Sequence, residues 1–285
     1  MKKVLLATSA LVVSAGFAAA DVTLSGDAEA GIVSGNGGTD WMVWDHVGLD
    51  ITMSGETDNG LTFGASLSID SGIARDGFSF SDGWMGGVDI GIARAGSVFV
   101  SGDFGTVTFD SGGLMAGYMG GIDNLYDDGK GAHQLGYEYS NGGISAALTI
   151  DVAGVTGQDW SASVGYSMDA LSASLATDSD GEFLVNLGYS ANGISAGLEH
   201  DTATGDTELS LGYAANGFSV DATIDTTDAW SLGVGYAANG LSVAFSTDDA
   251  DEWEATASYD LGGGLTANAG INFDDVVYLG LGMSF

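Results

Sequence analysis

Over much of its length the chain alternates apolar and polar residues with a period of two, and a tyrosine followed by a tight-turn signature returns at a fixed interval. Residues 189–195 reappear in close copy as residues 213–219 and 236–242, and Tyr189, Tyr213, Tyr236 and Tyr259 stand 24, 23 and 23 residues apart. Each copy carries Asn-Gly (Asn192-Gly193, Asn216-Gly217, Asn239-Gly240), the dipeptide that best supplies the positive φ angles of a two-residue hairpin turn. Between turns, Phe218, Val220, Ala222 and Ile224 alternate with Ser219, Asp221, Thr223 and Asp225. Side chains alternate across a strand, so each set lies on one face. Helices are excluded. Apolar residues do not recur at three and four, and many of the 48 glycines would fall inside helices, where each is costly.

Alternation alone does not say which face meets water. Three features place lipid outside and water inside. Tyrosines precede the tight turns while Trp160, Trp230 and Trp253 stand near the opposite strand ends, the arrangement of two interfacial aromatic girdles. The polar face is lined by Ser, Thr, Gly, Asp and Glu, which suits a wet lumen. Many strands joined by tight turns leave no free edge, as a bilayer requires of every backbone group. The fold expected is therefore an all-β transmembrane antiparallel barrel. One spacing fits poorly. Trp230 to Tyr236 is six steps, roughly 20 Å, and tilt shortens that below the usual apolar band of about 25 Å. Either the tryptophans sit inside the outer interface or the tilt is small.

Charge bounds the partners. Five basic residues face 39 acidic ones, a formal charge of −34, so nucleic acid and anionic headgroups are repelled. Aromatic residues at 10% argue against acid-driven disorder. With no Cys there is no disulfide framework and no thiolate chemistry. The start reads as an export signal over residues 1–20: Lys2-Lys3, a mostly apolar stretch over residues 4–17, then Ala18-Ala19-Ala20 before Asp21. No stretch approaches the run of about 20 apolar residues that a membrane helix needs. The mature domain expected is residues 21–285, which retains Arg75, Arg94 and Lys130 as its only Lys or Arg.

Two patches, residues 21–31 (Asp21-Val22-Thr23-Leu24-Ser25-Gly26 and onward) and residues 98–109 (with Gly102-Asp103-Phe104-Gly105), resemble the first strand and a later strand–turn–strand of Gram-negative general-diffusion porins. The C-terminus adds to the likeness, since Val277, Leu279, Leu281, Met283 and Phe285 alternate and end on an aromatic residue. The resemblance implies an outer-membrane barrel, usually sixteen-stranded and homotrimeric. Its surroundings would be outer-membrane lipid, its cargo small hydrophilic solutes and ions, and Phe285 would be read by the outer-membrane assembly machinery. The turns themselves suggest otherwise. Reversals near Asp58-Asn59-Gly60, Asp103-Phe104-Gly105, Asn141-Gly142 and Met168-Asp169, the three Asn-Gly copies and residues 260–264 give eighteen strands if both termini lie on the turn side. Sixteen is expected on family grounds, with eighteen next.

The interval between the turns at Gly105 and Asn141 exceeds the rhythm, and the excess falls at about residues 111–131. By its position after the Asp-Phe-Gly turn this stretch corresponds to the family's inward-folded constriction loop. Asp123, Asp127, Asp128 and Lys130 would then line the waist, where acids favour cations. Arginines usual on the facing wall are largely replaced. Asp27 follows Gly26 where Arg is common, Asp45-His46 occupies the second-strand region, and Asp110 follows Phe109. Arg75 and Arg94 remain, while Asp206, Glu208, Asp221 and Glu254 add acid to the polar face. A cation-preferring pore is expected; the alternative is a closed structural barrel or adhesin. No cofactor is required. Calcium could bind Asp127-Asp128, and also Asp248-Asp249 with Asp251 or Asp274-Asp275, although solvated loop acids are the simpler reading. His46, His133 and His200 form no zinc-binding spacing and no triad, so no enzyme is expected.

Overall fold

The structure, a computed structural model, describes residues 21–34, 41–72, 96–114, 133–152 and 160–285. These form one closed antiparallel sheet of eighteen strands. In order they are β1 (Asp21–Ser34), β2 (Trp41–Glu56), β3 (Thr62–Gly72), β4 (Val98–Gly102), β5 (Gly105–Leu114) and β6 (His133–Asn141). Next come β7 (Ile144–Ile150), β8 (Trp160–Met168), β9 (Leu171–Asp178), β10 (Phe183–Ala191), β11 (Ile194–Asp201) and β12 (Thr207–Ala215). The last are β13 (Phe218–Asp225), β14 (Trp230–Ala238), β15 (Leu241–Asp248), β16 (Trp253–Gly262), β17 (Leu265–Asn272) and β18 (Val277–Ser284). Each strand pairs with its neighbour in sequence, and β1 also pairs with β18, from Asp27 opposite Ser284 to Val33 opposite Tyr278. The expectation of sixteen strands is thereby corrected. The reversals legible in the sequence, not the family habit, give the count.

Directly opposed residues, followed once around the barrel, return to β1 displaced by about 22 positions, which sets a strand lean of roughly 40°. The tilt is not small. Trp230 and Tyr236 are therefore separated by only about 15 Å along the barrel axis, and the tryptophans sit inside the span usual for such girdles.

The tight turns take the backbone expected of them. Asn216 has φ 53° and Gly217 φ 84°, and the pairs Asn192-Gly193 and Asn239-Gly240 repeat these angles closely. The Gly217 carbonyl then accepts from Ala237 N at 2.8 Å, tying one hairpin to the next, and a Cβ at Gly217 would run into the Ala237 carbonyl oxygen.

The opposite ends, hereafter the loop end, are closed by a second repeated device. Asp178, Asp201, Asp225, Asp248 and Asn272 each finish an odd-numbered strand and turn a side-chain oxygen back on the loop. Asp178 Oδ1 accepts from Asp180 N at 2.9 Å and Glu182 N at 3.1 Å. Asp225 and Asp248 take the same two donors of their loops, and Asn272 Oδ1 accepts from Asp274 N and Val276 N. Asp201, in a loop one residue longer, accepts from Ala203 N at 2.8 Å. A short polar side chain that satisfies loop N–H groups in this way fixes a tight connection.

The two faces differ as the alternation requires. One set carries Val43, Val47, Leu49, Val164, Leu187, Leu211, Val234 and Leu279, all exposed. The other set holds the shielded strand side chains, among them Trp44, Thr149, Ser161, Leu184 and Asn272. In a closed sheet the shielding face is the concave one, so apolar side chains point out and polar ones line the lumen. A small apolar cluster of Val33, Trp44, Val276 and Tyr278 packs at the lumenal loop end, with the Trp44 and Tyr278 rings 5.6 Å apart.

Candidate functional site

The lumen wall follows directly from strand register. Ser140, Ser145, Gly165, Ser174, Asn186, Glu199, Glu208 and Asp225 are successive directly opposed residues across β6 to β13. Because the strands lean, this row climbs from Ser140, beside a tight turn, to Asp225, the cap of a loop. The row changes chemistry along the way: hydroxyls near the turn end give way to an amide and then three carboxylates at the loop end. A second row runs Gly212, Asp221, Gly233, Ser246, Glu254 and Asn272.

Small residues keep this wall low. A Cβ at Gly233 would lie 2.5 Å from an Asp221 carboxylate oxygen, and one at Gly165 would lie 2.6 Å from Ser145 Oγ. The same relation joins Gly235 and Ser219. Polar side chains thus lie flat across the glycine of the adjacent strand. Facing hydroxyls also bond across the wall: Thr149 with Ser161 at 2.8 Å, Thr223 with Ser231 at 2.8 Å, and Thr106 with Ser101 at 3.0 Å. The surface left to the lumen is polar and shallow.

The register places Asp27, Asp110, Glu208, Asp221 and Glu254 on the lumen face. Asp27 is on the lumen face of β1 and lies 3.4 Å from His46 Nδ1. Asp110 shares the face of Thr106 and Thr108 on β5. Glu208 stands between Glu199 and Asp225, Asp221 over Gly233, and Glu254 between Ser246 and Asn272.

Two assignments are corrected. Asp45 opposes Ala30 and alternates with Val43 and Val47, so it belongs to the outer face, near the loop end of β2. Asp206 lies in the loop between β11 and β12, at the mouth rather than on a strand, where its Oδ1 accepts weakly from Thr226 Oγ1 at 3.4 Å. Arg75, Arg94, Asp123, Asp127, Asp128 and Lys130 lie outside the described residues. Glu29, Asp50, Glu138 and Glu199 were missed as wall acids, yet all share the lumen face. For Glu199 the signal was available: it alternates with Ala196, Leu198 and His200, which face outward.

No group of three or more potential metal ligands converges among the described residues. Asp248 already accepts from two loop N–H groups and Asp249 Oδ1 from Trp230 N at 3.1 Å, so this acidic run acts as loop caps. His46 faces the lumen, whereas His200 is on the outer face with Nδ1 2.9 Å from Thr207 Oγ1.

Known proteins agree with this architecture. A porin of Rhodobacter capsulatus is 32% identical over 138 residues, which is 46% of this chain and 44% of that protein, so the match spans under half of either. A porin structure refined at 1.8 Å covers 93% of this chain and is itself fully covered, with a TM-score of 0.57 and 21% identity. A triple mutant of the Rhodopseudomonas blastica porin superposes over the same shares with a TM-score of 0.55 and 19% identity. The model of the Gram-negative porin family matches residues 7–277, and with the closed barrel just described the chain belongs to that family.

Proposed function

We propose that this barrel is an outer-membrane channel through which small hydrophilic solutes diffuse passively, with a preference for cations. The observation that carries the reading is the lumen wall: Asp27, Glu29, Asp50, Glu138, Glu199, Glu208, Asp221 and Glu254 face one enclosed space. Among the basic groups described there, only His46 answers them. A one-signed wall in a low-dielectric shell focuses potential and raises the local concentration of counter-ions. The shallow Ser and Gly surface leaves open cross-section, which a plugged structural barrel would fill with bulky packing.

In the same reading, the constriction loop at about residues 111–131 contributes Asp123, Asp127, Asp128 and Lys130 to the waist, and Arg75 and Arg94 belong to the wall. Residues 1–20 act as the export signal, three copies associate, and Phe285 serves assembly. Calcium at Asp127-Asp128 is the one metal contact proposed. Planar-bilayer recording tests the function. Discrete conductance steps that scale with salt are expected, and a bilayer that stays silent after verified insertion would favour the closed barrel or adhesin.

A further inference from the structure

Five consecutive stretches, residues 160–182, 183–206, 207–229, 230–252 and 253–276, are built with the same bonds. Within each, the residue after the loop cap donates its N–H to the first carbonyl of the unit: Ser179 to Trp160, Thr202 to Phe183, Thr226 to Thr207, Asp249 to Trp230 and Phe273 to Trp253, at 2.8–3.1 Å. Between units, each turn carbonyl receives one N–H from the next hairpin: Ser190 to Ala170, Ala214 to Gly193, Ala237 to Gly217 and Asp260 to Gly240. The register step is also constant. Directly opposed residues run Leu187, Leu198, Leu209, whereas the counterpart of Leu187 in the next unit is Leu211. Likewise Leu211, Ala222 and Leu232 form a row, and the counterpart of Leu211 is Val234. Each unit therefore climbs two residues.

We infer that these hairpins are interchangeable units and that their number sets the width of the barrel wall around the waist, and hence the conductance of the channel; this rests on the channel reading above. Removing residues 207–229 would bring Trp230 opposite His200 in the place of Thr207, and Ser231 opposite Glu199 in the place of Glu208. The Gly193 carbonyl would meet Ala237 N instead of Ala214 N. Inside and outside faces are preserved, because the excised stretch is one whole unit. Eighteen strands less two leaves sixteen, and the register displacement around the barrel falls from about 22 to about 20 positions. Their ratio hardly changes, so the strands keep their lean and the smaller sheet still closes. Inserting a second copy of residues 207–229 after Ala229 enlarges the barrel by the same logic.

The test compares the full chain with the deletion and the insertion. Folding is read by β-sheet circular dichroism and by resistance to denaturation in detergent, and conductance is recorded near 1 M salt, where wall charge is largely screened. Barrel diameter scales roughly linearly with strand number, so conductance falls by about a fifth in the deletion and rises by about a fifth in the insertion. Failure of both variants to fold overturns the inference, as does folding of both with unchanged conductance. If only one folds, the direction of its conductance change decides. A full chain that inserts but never conducts would refute the channel reading instead, leaving the folding of the two variants to judge the units.

Discussion

The backbones of Phe285 and Gly26 exchange hydrogen bonds in both directions, Phe285 N to Gly26 O at 2.8 Å and Gly26 N to Phe285 O at 3.3 Å. The last residue of the chain thus completes the seam with the first strand, while its ring points outward, 77% exposed. Truncation by this single residue removes both bonds. At about 1 kcal/mol net for each, the loss is roughly 1–3 kcal/mol, read as a lower urea midpoint in detergent. Phe285→Ala keeps the backbone pair and is expected to lose less. Equal losses would assign the effect to the ring.

The loop caps predict a sharp distinction between two substitutions. Asp178 is 6% exposed and holds two loop N–H groups, so Asp178→Ala leaves both without their acceptor and destabilises by about 1–2 kcal/mol. Asp178→Asn retains an oxygen in that place, as Asn272 does four hairpins further along the chain, and is expected to stay near wild type. Equilibrium unfolding of the two variants checks this.

Glycines of similar backbone angle are not equivalent. Gly60 has φ 81° with nothing near its would-be Cβ, whereas Gly217 has φ 84° and faces the Ala237 carbonyl. Gly60→Ala loses only the conformational preference, about 1 kcal/mol. Gly217→Ala adds a backbone clash and is expected to cost visibly more, measured again by unfolding midpoint.

Because the chain has no cysteine, single-cysteine variants report cleanly on the faces. Ser246→Cys, on the lumen wall, is expected to react with a water-soluble maleimide in liposomes. Val234→Cys, on the outer face, is expected to be protected until detergent is added. Reversed labelling would exchange lipid and water.

Much of this was legible from residues alone. Alternation in residues 218–225 and 230–236 gave the strands and both faces, and Asn-Gly gave the turns; counting reversals led to eighteen strands when family habit suggested sixteen. Errors arose where position in a family replaced parity. Asp45 alternates with Val43 and Val47, so period two already put it outside. Glu199 and His200 are neighbours on opposite faces, and parity with Ser195 and Gly197 already puts Glu199 on the lumen side. The shared capping role of Asp178, Asp201, Asp225 and Asp248 was not legible, because hydrogen bonding to loop N–H groups depends on loop geometry that composition does not encode. Strand lean was inaccessible for the same reason: it comes from register summed around the whole sheet, to which no single segment is sufficient.

Reversal potential in a KCl gradient across a planar bilayer tests the central claim most directly. With the chain inserted, the account predicts a potential of the sign set by cations moving down the gradient, shrinking as total salt rises and the Debye length shortens. Glu199→Gln combined with Glu208→Gln is expected to reduce it, while Asp45→Asn, on the outer face, leaves it unchanged. A potential of the opposite sign, with anions carrying the current, would contradict the account.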